Sequence, residues 1–205
     1  MSILLVALAS APASAVVAAE DAGTPTDPIR LSLSLYIVDE AGASSSSELS
    51  SRRDVESLQE IAARMQAIWD GAGIELVIGS IARIDAPPDA LIDLGQGDST
   101  AFLNSVYDGT IEVPNASAVN GFYVRSLGRI NGFASVGTRA FFVTDEPSVY
   151  DERVSSHEIG HILGLHHEAI DSARLMFSGT NGMEFSEGEI AAARYAAQGI
   201  ADGLR

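Results

Sequence analysis

The chain has 205 residues, long enough for one domain with a substantial core. It carries 28 acidic against 12 basic residues, and its formal charge of −16 argues against nucleic acid or an anionic membrane as partner. Cysteine is absent, which excludes disulfides, thiolate metal ligands and a thiol nucleophile and leaves the compartment unreadable from redox chemistry. All twelve basic residues are arginine; a codon-biased genome and adaptation to high salt both account for that.

Residues 3–19 form an apolar run, leucine-rich and then alanine-rich, with small-x-small sites at Ala13-Ser14-Ala15 and Val17-Ala18-Ala19. Residues 1–19 therefore read as a secretory signal peptide, although the usual basic n-region is missing. An uncleaved membrane anchor is the competing reading, but the run is short for a span and alanine-heavy at its end. The expectation is a secreted, periplasmic or extracellular protein that leaves the membrane after cleavage. Residues 20–28 make a polar, proline-bearing leader, and 29–205 make one folded domain.

In that domain Leu31, Leu33, Leu35 and Ile37 alternate with Ser32, Ser34 and Tyr36, the pattern of a half-buried strand. A serine-rich loop over 43–51 precedes a helix from about Asp54 to Asp70. Val55, Leu58, Ile61, Ala62, Met65, Ile68 and Trp69 form the apolar stripe of this helix, and Gly71 stops it. A second strand covers 74–84, with a bulge or bend at Gly79. Residues 85–119 hold prolines, glycines and acids without a sustained period, and predict long connections with one short helix near 101–107.

Further strands are predicted over 121–127 and 139–144, with a glycine-punctuated edge at 131–137 between them. A helix beginning between Ser148 and Asp151 carries the histidines, and Ser186 with Glu189 forms a capping box that opens a last helix to about Gln198.

Every histidine of the chain lies in residues 157–167, which read H-E-I-G-H-I-L-G-L-H-H. His157 and His161 are four apart, so on a helix they point from one face and can share a metal ion. Glu158 can reach a water on that metal without ligating it, the arrangement of a zinc site with a glutamate general base. His167 lies six residues beyond His161, out of reach of a continuous helix. Gly164 resolves this, because glycine can take positive φ, end the helix and return the chain to the metal. Three histidines leave one coordination position open, which suits catalysis better than a closed structural site. The spare His166 competes for the third place, and the spacing favours His167.

The run H-E-x-x-H-x-x-G-x-x-H resembles the signature of the metzincin clan of zinc endopeptidases. That resemblance implies an α+β fold with a twisted mixed β-sheet, an active-site helix and a small C-terminal subdomain with a terminal helix. It implies one catalytic Zn2+, a protein or peptide substrate, and hydrolysis by a zinc-activated water with Glu158 as base. Leu175-Met176-Phe177 resembles the matrixin turn, which implies a place beneath the zinc for Met176. Glu168 after the third histidine resembles astacins, but Ser178 stands where astacins carry a tyrosine, so the resemblance stops at the clan. The edge around Gly132, Phe133, Ala134 and Ser135 is the expected substrate strand, where an extended peptide adds through main-chain hydrogen bonds.

Two rival functions share the motif: a non-catalytic zinc-binding relative serving adhesion or inhibition, against which the intact Glu158 speaks, and a zinc hydrolase of a non-peptide amide. A cysteine switch is impossible here, and the short leader is expected to leave the enzyme active once the signal is removed. The sequence is silent on calcium, oligomeric state and substrate preference.

Overall fold

The computed structural model describes residues 27–43, 47–115 and 117–204. The expected signal peptide and most of the leader lie outside the described residues. Five strands form one sheet: β1 Ile29–Glu40, β2 Ile74–Ala86, β3 Val119–Val124, β4 Gly132–Ser135 and β5 Ala140–Thr144, in the order β2-β1-β3-β5-β4. All neighbours are parallel except β4, which runs antiparallel to β5 and closes one edge. The helices are α1 Val55–Asp70, α2 Pro88–Gly95, α3 Thr100–Tyr107, α4 Asp151–Ile162 and α5 Glu187–Ala201.

The two faces of the sheet carry separate cores. Leu31, Leu33, Leu35 and Ile37 of β1 meet the stripe of α1, the apolar residues of α4 and Ala193, Ala196 and Ala197 of α5. Opposite them, Tyr36 and Val38 pack with Phe122, Phe142 and the residues of α2 and α3, where Phe102 stands edge-on to Phe122 and Phe142. This second layer corrects two expectations. From Leu33 to Val38 β1 is buried on both faces, Ser34 and Tyr36 included, while Ser32 stays exposed as the alternation expects; α2 and α3 cover Tyr36 and Val38 on the side assigned to water. The region 85–119 also holds two short helices where one was expected; α2 opens with Pro88 at its first turn, the place where a missing N–H costs nothing.

Other features follow the sequence closely. Asp54 caps α1 through the Ser57 backbone N–H at 2.8 Å, and Gly79 is the extra residue where the β1–β2 register shifts after Leu33. The last helix, α5, returns to the main core and leaves residues 163–186 as an irregular run beside the histidines.

Candidate metal centre

Helix α4 is fixed at its start by arginines of the preceding chain. Arg53 pairs with Asp151, and Arg64 of α1 holds Glu152 at 3.1 Å. Deeper in the helix, Ser155 shares a 2.8 Å hydrogen bond with the buried Tyr123 hydroxyl of β3. The next turn presents His157, Glu158 and His161. The helix ends at Ile162, and Gly164 takes φ +83°, a conformation that a β-carbon would strain. The chain then doubles back, with the Leu165 N–H bonded to the Gly160 carbonyl at 2.9 Å, and His167 arrives beside His161.

His157, His161 and His167 each offer one nitrogen, and these nitrogens lie within 4.8 Å of one another. His161 Nε2 and His167 Nε2 are 3.1 Å apart. Two of the rings are oriented by backbone carbonyls: His157 Nδ1 donates to Leu175 O at 2.8 Å and His161 Nδ1 to Leu165 O at 3.0 Å. A carbonyl accepts only from a protonated Nδ1, so each Nε2 keeps its lone pair for a metal. Burial drives the His157 imidazole down to about 4, the Leu175 carbonyl opposing, and holds His161 below its ordinary value. Three imidazoles are a donor set that fits Zn2+. His166 is exposed and stands outside the cluster.

Glu158 is 6% exposed, and burial pushes its carboxyl up to about 8 against the opposing pull of the Arg153 guanidinium. Met176 is fully buried, and its Sδ lies where a β-carbon on residue 160 would come to 2.6 Å. Gly160, between the two helical histidines, thus lets the methionine approach the ligand helix. The same turn orients the His157 ring, because Leu175 O accepts from its Nδ1.

A cleft of about 610 Å³ opens over these residues. One wall is Gly132, Phe133 and Ala134 of β4; Ser135, the last of the expected substrate residues, does not line it. The Thr144 N–H bonds to Asn131 O at 3.0 Å, which sets the antiparallel alternation. By that alternation the N–H and C=O of Gly132 and Ala134 point away from β5, toward the open edge.

Arg153, Arg129, Val154 and Gly179 also line the cleft, and no motif marks them; for Arg153 the one signal in the sequence is spacing, since it stands four before His157 on the same face of α4.

No protein-family model matches the chain, and no curated protein does. Among solved structures it is similar to archaemetzincin from Methanopyrus kandleri, with 18% identity over 82% of this chain and 96% of that one and a TM-score of 0.57. It also matches a chain of a chaperone–substrate complex at 13% identity, over 85% of this chain and 36% of that one, with a TM-score of 0.50. For metalloproteinase-II from Bacteroides fragilis the values are 15%, 84%, 55% and 0.49. At these identities the likeness is one of fold, and the fold is that of archaemetzincin.

Proposed function

We propose that this chain is a zinc-dependent endopeptidase, exported by the apolar run at its N-terminus and acting outside the cytoplasm. One observation carries the reading: three imidazole nitrogens converge within 4.8 Å on the floor of a cleft that also contains a buried glutamate. The metzincin-like motif and the fold likeness to archaemetzincin support it from independent directions.

His157, His161 and His167 would hold the zinc, with Met176 packed behind the ligand helix. When bound, zinc supplies Lewis acidity, which brings a water pKa to about 7 and polarises a carbonyl oxygen. Glu158 takes the proton of the attacking water and returns it to the leaving amine. Its burial suits both halves of that task, because a desolvated carboxylate binds a proton more readily than an exposed one. The outward N–H and C=O groups of β4 align an extended peptide by main-chain hydrogen bonds, which delivers one carbonyl to the site.

The test is cleavage of a denatured protein by the purified chain, with bound zinc measured in the same sample. One equivalent of zinc, proteolysis, and loss of both on chelation with recovery on zinc addition are expected. Zinc-loaded protein that leaves unfolded polypeptides intact would overturn the reading.

A further inference from the structure

Arg153 carries a charge that the fold does not neutralise. Its side chain lines the cleft, yet the residue is only 4% exposed. One guanidinium nitrogen, Nη2, donates to Leu175 O at 2.8 Å and to Phe177 O. Nε is buried and has no hydrogen-bond partner among the described residues. No ion pair to Arg153 occurs there either, whereas Arg30, Arg52, Arg53, Arg64, Arg83, Arg125 and Arg174 all find acids. In a chain with 28 acidic residues an arginine left buried without one is conspicuous. Glu158 lies within electrostatic range without closing a bridge.

The surroundings match. Among the described residues that line the cleft, Glu158 is the only acid, and the exposed Arg129 stands with Arg153. The cleft is therefore a basic island on a protein of net charge −16. The two carbonyl anchors hold the guanidinium in one orientation, so a ligand meets a preformed donor.

We propose that Arg153 is a specificity-determining residue that receives a substrate carboxylate on a residue flanking the scissile bond. This inference rests on the peptidase reading above. Arg153 stands four residues before His157, about 6 Å along the axis, and an extended peptide advances about 3.4 Å per residue. That spacing suits a carboxylate one or two residues from the scissile carbonyl. Two sources carry that group: an aspartate or glutamate side chain, and the free C-terminus of a short substrate.

The experiment uses the zinc-loaded full chain and matched peptides around one cleavable bond. One pair differs by Glu or Gln beside the bond, and the other by a free or amidated C-terminus close to it. A charge-assisted hydrogen bond in a buried site predicts a kcat/KM ratio of roughly 10 to 100 in favour of the acid in one pair. The pair that shows it identifies the source. Arg153→Lys keeps the charge but loses the planar fork, and the acid-to-neutral ratio itself should shrink several-fold, whatever the rate on neutral peptides. Should Arg153→Lys fail to fold, the wild-type ratios alone decide. If no peptide is cut, the peptidase reading fails, and calorimetric binding of the same uncut peptides still reads the pocket. Ratios near one in both pairs, in cleavage or in binding, overturn the proposal.

Discussion

Helices α1 and α4 pack against each other and are joined by the Arg64–Glu152 ion pair, yet they are built on opposite plans. In α1 the buried side chains are all apolar: Leu58, Ile61, Ala62, Met65, Ile68 and Trp69. A capping box closes its first turn, as another does for α5. Helix α4 has no side-chain cap, and Arg153, Ser155, Ser156, His157 and Glu158 are all buried. Burying polar and charged groups costs free energy that packing elsewhere must offset. The first helix contributes stability, while the second gives some up to hold polar side chains in the core.

The difference can be broken from the α1 side first. Trp69 is fully buried against Phe185, with ring centroids 5.0 Å apart. Trp69→Ala should lower stability by about 3–5 kcal/mol, read from urea unfolding, while the folded fraction still binds one zinc. A loss below about 1 kcal/mol would mean that α1 is not the stabilising partner.

From the α4 side, the buried carboxyl gives a pH signature in the metal-free protein. Burial lifts Glu158 from 4.5 to about 8, so between those values the folded state keeps a proton that the unfolded state has released. The contribution is complete below about pH 4.5 and is lost as pH rises through 8. Thermal melts of metal-free wild type should fall over that window relative to Glu158→Gln; parallel profiles would show that α4 carries no such strain.

Two smaller effects sharpen the picture. Ala134→Pro removes an N–H that faces the open edge and leaves the β4–β5 ladder intact. It should reduce kcat/KM for peptides about tenfold or more at constant zinc content, and unchanged kinetics would move the substrate strand elsewhere. Ser186 accepts from the Glu189 N–H at 3.2 Å to open α5, and Ser186→Ala should cost about 1 kcal/mol in unfolding with kcat unaffected.

The two plans also explain what the sequence discloses. Helix α1 is legible from period alone, because its apolar stripe is unbroken and its cap and stop stand at the ends. Helix α4 shows no such stripe and is legible from the spacing of its histidines and from Gly164. The two-sided burial of β1 is hidden, since Tyr36 and Val38 are covered by helices that arrive about fifty residues later. Helix α2 is hidden because Pro87, Pro88, Gly95 and Gly97 bracket its eight residues and give the stretch the composition of a connection. Arg153 escapes because a lone arginine has no motif; only the carbonyls of Leu175 and Phe177, brought in by the return of the chain, reveal what holds it.

The proposed function divides the labour at the centre: the histidines would hold the metal and Glu158 would move the proton. The most direct measurement compares zinc stoichiometry and peptide turnover in wild type, Glu158→Ala and His161→Ala. Glu158→Ala should keep one zinc per chain and lose turnover by about a thousandfold or more, while His161→Ala loses both. Near wild-type turnover by zinc-loaded Glu158→Ala would contradict the assignment.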